Sequence, residues 1–187
     1  MVNLLRRRLS AFRPSLQPHR DRRVCASVLI PVIETSAGPH ILLTRRTNTV
    51  KYHKGEVSFP GGVYEEDDED TLTTAVRECS EEIGVRPEDV EIVGRLDDMN
   101  TFTGFVITPY VGIIPYPYAF TLNPREVAYL IYLPLPFLLK SELQIETVEF
   151  GGGTVQAQAI YYEGERIWGA TCRMLLQLRD IITDETV

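Results

Sequence analysis

The chain carries, at residues 77–85, the stretch Arg77-Glu78-Cys79-Ser80-Glu81-Glu82-Ile83-Gly84-Val85, on which the interpretation of the whole sequence depends. Its spacing predicts a helix over 70–84, because one side of that helix is consistently apolar. The apolar positions are Leu72, Ala75, Val76, Cys79 and Ile83. Glu78, Glu81 and Glu82 share a different arc, since residues three and four apart lie above one another on a helix. We therefore expect three carboxylates to face one point.

Three neighbouring glutamates repel one another by roughly 0.2–0.5 kcal/mol per pair in an isolated helix, and a divalent cation between them reverses that repulsion. The acids Asp67, Asp68, Glu69 and Asp70 suit the positive start of the helix, and Gly84 suits its end. A solvated acidic face would explain the same glutamates without a metal. The residues around the helix decide between these two interpretations.

A glycine pair, Gly61-Gly62, precedes the helix, and Arg77 stands beside the first glutamate. Together these residues resemble the Nudix box, which runs Gly, five residues, Glu, seven residues, then Arg-Glu-hydrophobic-x-Glu-Glu-x-Gly-hydrophobic. Counting forward from Gly62 makes Asp68 the first acid of the box, whereas counting back from Arg77 makes it Glu69. One extra residue therefore separates the glycines from the helix, and the sequence leaves open which acid takes that position.

A second pattern lies upstream, from Leu42-Leu43-Thr44 through Arg46 to Phe59-Pro60-Gly61-Gly62. It resembles the signature of the coenzyme A pyrophosphatase branch of Nudix enzymes, and its spacing agrees throughout. Two positions differ: Thr47 stands where the signature has Ser or Ala, and Lys51 where it has Arg. Lysine keeps the positive charge but loses the guanidinium fork that suits a phosphate.

The resemblance implies a fold, a reaction and a set of site residues. The fold is α+β, an α/β/α sandwich around a mixed β-sheet, with the box as a loop–helix–loop metal site. The reaction is hydrolysis of the diphosphate bond of coenzyme A (CoA), or of a CoA derivative, to 4′-phosphopantetheine and 3′,5′-ADP. Glu78, Glu81 and Glu82 hold Mg²⁺ or Mn²⁺, Glu81 is the general base, and Arg77 orients the carboxylate beside it. The implied substrate-binding residues are Arg46, Lys51, Gly61 and Gly62.

Other functions stay open beside this one. Hydrolysis of another nucleoside diphosphate derivative, such as ADP-ribose, is the nearest alternative, since a cationic loop formed by Arg45, Arg46, Lys51 and Lys54 suits any ligand with several phosphates. Isopentenyl diphosphate isomerisation on the same fold would leave the diphosphate intact. A catalytically silent nucleotide-binding protein is a third class, whose usual mark is a broken box. Glu126 is open between a further metal ligand, the base and the cap of a turn.

Length, composition and charge indicate one globular domain of 187 residues, of which 44% are hydrophobic and 24% charged. The net charge of −7 disfavours nucleic acid as a partner. Residues 1–23 nevertheless carry seven arginines and one aspartate, a balance of +6 that leaves −13 for the rest. A transit peptide would explain this start. We instead predict that residues 1–23 are a basic helical arm and that residues 24–187 are the Nudix domain.

The cysteines indicate a reducing compartment, because Cys25, Cys79 and Cys172 are odd in number and far apart. The longest apolar runs are about half the length of a bilayer span. We therefore predict a cytoplasmic protein with no membrane partner, whose oligomeric state the sequence does not indicate. Strands are predicted at 24–30, 41–44, 57–59, 90–96, 106–114, 129–133 and 156–161, and a last helix from 168 or 169 to about 183.

Overall fold

The computed structural model describes residues 1–17, 23–50 and 53–184. The helices are α1 (Val2–Ala11), α2 (Thr71–Ile83), α3 (Leu135–Lys140) and α4 (Gly169–Thr183), and a short 3-10 helix, Pro87–Asp89, follows α2. The strands are β1 (Val24–Thr35), β2 (Gly38–Arg46), β3 (Val57–Ser58), β4 (Gly61–Val63), β5 (Glu91–Arg95), β6 (Met99–Asn100), β7 (Phe105–Ile113), β8 (Val127–Pro134), β9 (Gln144–Phe150), β10 (Gly153–Tyr162) and β11 (Glu165–Trp168). No helix in these ranges is long and apolar enough to cross a membrane.

Strand β1 lies inside the main sheet and is buried on both faces. Its alternating side chains place Leu29 and Ile33 in one apolar cluster, and Ile30 and Val32 in another. Helix α2 covers the first cluster, whereas α1, α3 and α4 cover the second. The predicted α/β/α sandwich is therefore confirmed.

The main sheet is mixed. Strand β1 pairs antiparallel with β2 and parallel with β7, and β7 pairs antiparallel with β5. The short strand β4, which begins at the glycine pair, also pairs with β1, so that Gly61 lies opposite Val28. This pairing places Gly61 and Gly62 beside helix α2. A second sheet, in the order β11-β10-β9, packs its middle strand against α4.

The ends of α2 follow from local chemistry. Asp70 is the N-cap, and its carboxylate accepts a hydrogen bond from the Thr73 N–H at 2.8 Å. Gly84 ends the helix in the left-handed conformation, with a φ of 73°, which a residue with a side chain adopts at a cost. The buried side contains Ala75, Cys79 and Ile83. Three of the five residues in the predicted apolar stripe thus face the sheet, whereas Leu72 and Val76 are half-buried and lie outside this cluster.

Helix α1 is packed into the domain. Leu5 and Leu9 are buried in the same apolar cluster as α4, and a methyl group placed on Gly94 of β5 would lie 2.7 Å from Leu9 Cβ. On the outer side Arg6 binds Glu91 at 2.7 Å. The helix therefore contributes apolar side chains to the core, and Arg6 lies on its outer side whereas Arg8 is buried. The boundary predicted at residue 23 stays a prediction, and residues 18–22 lie outside the described ranges.

Candidate metal and substrate site

Gly61 and Gly62 let strand β4 approach its neighbours closely. A methyl group on Gly61 would lie 2.5 Å from the carbonyl oxygen of Ser27 and 2.7 Å from Cα of Val28. A methyl group on Gly62 would overlap the carboxylate of Glu78. The first glycine therefore permits close pairing with β1, and the second leaves room for a glutamate of α2. The structure thus brings both predicted glycines to the acidic side of the helix.

Glu82 is a buried carboxylate without a proper partner. Only 1% of its side chain is exposed, and neither oxygen accepts a hydrogen bond of normal geometry from the described residues. The Nη1 atom of Arg46 lies 3.7 Å from Oε1, which is too far for a hydrogen bond. Burial raises the pKa of Glu82 to about 8, an effect that Arg46 and the backbone N–H of Gly61 partly oppose. A carboxylate in such a place is costly, because it has lost water and gained no hydrogen bond of normal geometry.

Glu78 and Glu81 lie in different environments from Glu82. The side chain of Glu78 is 14% exposed and accepts a hydrogen bond from Nη1 of Arg77 at 3.0 Å. Burial raises the pKa of Glu78, and the positive charge of Arg77 lowers it in part. Glu81 is 57% exposed and lies 3.4 Å from the same arginine nitrogen. The three carboxylates therefore share one side of α2, but they do not meet at one point in this structure.

Arg77 joins the loop before α2 to the glutamates. Its Nε and Nη2 atoms donate to the two oxygens of Asp68 at 2.9 and 3.1 Å, a bidentate pair. Asp68 is buried and also accepts from the Thr74 hydroxyl at 2.9 Å, whereas Glu69 is exposed. The structure therefore answers the question that counting left open, since Asp68 is the acid that pairs with this arginine. The geometry favours a positioning role for Arg77.

A fourth carboxylate, Glu126, reaches the same face from the turn between β7 and β8. The Asn123 N–H donates to the carbonyl oxygen of Glu82 at 2.9 Å, and the Asn123 side-chain amide donates to Glu126 Oε1 at 3.1 Å. Burial is the main cause of the raised pKa values of Glu78 and Glu82, and the negative charge of Glu126 adds to both. Glu126 is therefore part of the acidic cluster, and the sequence signal for it was the turn that begins at Asn123.

The predicted cationic loop divides between two places. Arg46 points to the acidic cluster, whereas Nη1 of Arg45 donates to Glu165 of β11 at 2.7 Å. The Thr47 hydroxyl donates to the carbonyl oxygen of Arg125 at 2.8 Å, which ties the loop to the turn that carries Glu126. The predicted substrate residue Lys51 lies outside the described residues. Of the loop cations that are described, Arg46 is thus the one that reaches Glu82.

The donor set of the site suits a hard divalent cation. Within residues 1–17, 23–50 and 53–184, no three His, Cys, Asp or Glu side chains stand close enough to hold a metal as they are. The two unpartnered oxygens of Glu82 nevertheless fit Mg²⁺ or Mn²⁺, which prefer oxygen ligands. Glu78 and Glu126 are the acids whose charges act on Glu82, and Glu81 would have to leave Arg77 to join them.

Comparison with known proteins now identifies the family. The family model of the NUDIX domain matches residues 23–151, which is more than half of the chain. The chain belongs to the Nudix family. It is 36% identical over 159 residues to the protein named "Uncharacterized Nudix hydrolase NudL" from Photorhabdus laumondii subsp. laumondii, a match that spans 84% of each sequence. The chain is therefore a Nudix hydrolase, an enzyme that acts on phosphorus anhydrides.

Solved structures agree with the Nudix fold. DR0079 from Deinococcus radiodurans aligns with a TM-score of 0.56 over 87% of both chains, at 16% identity. The NUDIX domain of Shewanella oneidensis NrtR, complexed with ADP ribose, aligns with a TM-score of 0.52 over 72% of this chain and 85% of that one, at 20% identity. At these identities the likeness concerns the fold alone.

The pair formed by Asp68 and Arg77 in the Nudix box leads to a prediction about acid stability. The Arg77 guanidinium, together with hydrogen bonds from Thr74 and Glu65, lowers the pKa of Asp68 to about 2. A carboxylate with a lowered native pKa stabilises the fold above its unfolded pKa, and loses that contribution as the pH falls towards the native value. Asp68→Asn should therefore cost on the order of 1–2 kcal/mol at neutral pH, allowing for screening by solvent.

Urea unfolding at several pH values checks this expectation. The difference in unfolding free energy between the wild type and Asp68→Asn should narrow as the pH is lowered from about 6 to about 3. Asp67→Asn, a change at the exposed neighbouring acid, is the matched control and should leave stability within about 0.5 kcal/mol. A difference for Asp68→Asn that is independent of pH would contradict the electrostatic account.

Proposed function

We propose that this chain hydrolyses the diphosphate bond of CoA, or of a CoA derivative, to 4′-phosphopantetheine and 3′,5′-ADP, with Mg²⁺ or Mn²⁺ as cofactor. The observation that carries the proposal is the position of Arg46. This residue belongs to the segment that resembles the signature of CoA pyrophosphatases, and it lies 3.7 Å from Glu82. The same segment ends at Gly61 and Gly62, which border the acidic cluster. The residues that suggest the substrate thus adjoin those that suggest the chemistry.

In this mechanism Glu78, Glu81 and Glu82 would hold the metal, and Glu81 would first have to leave Arg77. When bound, the metal supplies polarisation of the phosphoryl group and activation of water. Glu81 takes the proton of the attacking water, whose oxygen forms a new bond to one phosphorus while the bridging P–O bond breaks. The bridging oxygen leaves with the second phosphate. Glu126 is the alternative proton acceptor, because it is half-buried beside the same carboxylates.

The remaining residues bind and orient the substrate. Arg46 offers a planar fork of donors to the phosphate oxygens, and such charge-assisted pairs are among the stronger hydrogen bonds in proteins. Gly61 and Gly62 expose backbone on the floor of the site, where a side chain would overlap Ser27 or Glu78. Lys51 of the same segment is a further proposed substrate-binding residue, and either Lys51 or Arg46 would bind the 3′-phosphate of CoA. Arg77 keeps Glu78 in place through its hydrogen bond of 3.0 Å.

Cellular context and domain division remain part of the proposal. We propose a cytoplasmic enzyme whose ligand is a small nucleotide, without a nucleic-acid or membrane partner, because the chain is acidic and Cys79 and Cys172 are buried thiols. We also propose residues 1–23 as a basic arm joined to a Nudix domain over 24–187. The burial of Leu5 and Leu9 supports close attachment of that arm.

A substrate panel in Mg²⁺ tests the choice of CoA. The value of kcat/KM for CoA should exceed that for ADP-ribose at least about tenfold, a difference of about 1.4 kcal/mol in transition-state binding. Products are identified by chromatography, which also detects an isomerase because its diphosphate stays intact. ADP-ribose is the decisive competitor, since it is a smaller diphosphate that lacks the 3′-phosphate. A preference for ADP-ribose would overturn the CoA assignment and leave the Nudix assignment standing.

A further inference from the structure

Arg46 and Glu82 face each other without forming a proper ion pair. The two oxygens of Glu82 and the Nε atom of Arg46 are buried and lack hydrogen-bond partners among the described residues. The Nη1 atom of Arg46 lies 3.7 Å from Oε1 of Glu82. Other pairs in the protein bond normally, such as Arg45 with Glu165 at 2.7 Å. The pair at the site is thus poorly satisfied on both sides.

The backbone around Arg46 explains why it points to Glu82. The register between β2 and β8 shifts between Arg45 and Arg46, and such a bulge re-aims successive side chains. Arg45 consequently reaches Glu165, and Arg46 reaches the acidic cluster. The Arg46 N–H also donates to the carbonyl oxygen of Glu56 at 2.9 Å. The backbone of Arg46 is therefore fixed by this hydrogen bond, whereas its guanidinium could form closer hydrogen bonds with a ligand than it forms with Glu82.

Each member of the pair suits a different ligand. A buried carboxylate without a hydrogen bond of normal geometry suits a divalent cation, and a partly exposed guanidinium whose Nε atom has no partner suits a phosphate. Either ligand alone meets the wrong charge, because the cation is repelled by Arg46, and the phosphate is repelled by Glu82 once that carboxylate is ionised. Both repulsions are relieved when the two ligands bind together. The arrangement therefore favours joint binding.

We propose that Arg46 is the internal counter-ion of Glu82 and exchanges it for a substrate phosphate when a divalent cation binds, so that cation and diphosphate bind cooperatively. The inference rests on the proposed function in one respect, a metal site that includes Glu82, and it holds for any diphosphate substrate. Linkage requires the coupling to be reciprocal, so the diphosphate tightens the cation by the same factor as the cation tightens the diphosphate.

Binding of Mn²⁺ alone, followed by electron paramagnetic resonance, gives the first test. Arg46→Gln removes the competing charge and should bind Mn²⁺ at least about fivefold more tightly than the wild type, the lower end of usual coupling energies. The direction survives competition with protons, because a divalent ion gains about twice as much as a proton from losing a nearby positive charge. Arg45→Gln is the matched control, with the same charge change one residue away, and should alter Mn²⁺ affinity less than about twofold.

The second test adds the non-hydrolysable diphosphate α,β-methylene-ADP, with Mn²⁺ held by the nucleotide itself subtracted. The diphosphate should tighten Mn²⁺ about fivefold or more in the wild type, and by a smaller factor in Arg46→Gln, where only the direct attraction between cation and diphosphate remains. Arg46→Lys keeps the charge but loses the fork, so its affinity for Mn²⁺ alone should stay near that of the wild type while the coupling falls. Melting temperatures confirm that the variants are folded.

Mn²⁺ binding by the two variants distinguishes failure of the exchange by Arg46 from failure of the metal site. If folded Arg46→Gln binds Mn²⁺ no more tightly than the wild type while Glu82→Gln loses it, the metal site stands and the exchange by Arg46 is overturned. If Glu82→Gln binds Mn²⁺ as the wild type does, the proposed metal site itself fails, and the inference fails with it. An unchanged response to α,β-methylene-ADP in Arg46→Gln would likewise overturn the exchange.

Discussion

Glu82→Gln should lower the rate of diphosphate hydrolysis at least about 100-fold at a fixed Mg²⁺ concentration, and should remove most of the stabilisation that Mg²⁺ gives to the fold. Glutamine keeps the size and helical propensity of glutamate but offers no anionic ligand. The effect should be large because Glu82 is the carboxylate whose two oxygens have no other partner. A variant with turnover near that of the wild type would exclude Glu82 as a ligand.

The same substitution should make the metal-free protein less sensitive to pH. The pKa of Glu82 is raised by burial to about 8, so the native state holds a proton that the unfolded state releases near its ordinary value of 4.5. Stability from this group is full below that ordinary value and is lost as the pH rises towards 8 and beyond. In EDTA, the wild type should therefore lose on the order of a few kcal/mol between pH about 5 and about 9, and Glu82→Gln should lose less.

Chemical unfolding across that pH range, with EDTA or with Mg²⁺, measures both effects. Glu88→Gln is the control, since the side chain of Glu88 is 68% exposed. It should follow the wild type within about 0.5 kcal/mol at every pH. The account of Glu82 would be contradicted by parallel pH profiles for the wild type and Glu82→Gln.

Gly61→Ala and Gly62→Ala should fail in different ways, although the two glycines are adjacent. The methyl group of Gly61→Ala meets backbone atoms of Ser27 and Val28, which cannot move without separating β4 from β1. We expect a loss of stability of about 1–3 kcal/mol. The methyl group of Gly62→Ala meets the carboxylate of Glu78, the far end of a flexible side chain. We expect it to keep most of the stability and to lose turnover at least about tenfold, because it displaces Glu78, a proposed metal ligand.

The measurement is a pair for each variant, an unfolding free energy and a kcat/KM in Mg²⁺. The double variant Gly62→Ala with Glu78→Asp gives a sharper control, since the shorter side chain withdraws from the added methyl group. If the overlap is the cause, this double variant should recover part of the Mn²⁺ affinity lost in Gly62→Ala. Equal losses of stability in Gly61→Ala and Gly62→Ala would show that the Glu78 carboxylate is not what Gly62 accommodates.

Local chemistry made the fold predictable. The period of α2, its cap Asp70 and its terminal Gly84 all lie within one short segment, and the structure places the helix at Thr71–Ile83. The final helix was predicted for the same reason, and the structure confirms it at Gly169–Thr183. The short strands β6 and β11 were not predicted, because two to four residues carry too little periodicity to stand out from a loop.

The sequence indicated which residues belong to the candidate site, but not which of them are buried and which are exposed to solvent. An angle around a helix axis cannot tell that the sheet edge covers Glu82 and leaves Glu81 in solvent, since burial depends on what packs against the helix. Counting could not choose between Asp68 and Glu69, because an extra residue in a loop shifts one side chain outward and another inward. The approach of Glu126 depends on a turn that meets the end of α2 only in the folded chain.

The parallel pairing of β1 with β7 has a consequence for how the protein folds. Nine residue pairs join these strands, and partners such as Ser27 and Thr108 are 81 residues apart in the chain. The whole Nudix box lies within the loop that this pairing closes. Contacts between residues so far apart in the chain slow folding, because the entropy of closing the loop is lost before the stabilising contacts have formed. During synthesis, Glu82 should therefore stay hydrated until residues 105–113 have emerged. The free-energy cost of removing water from its carboxylate then arises only when the domain closes around it.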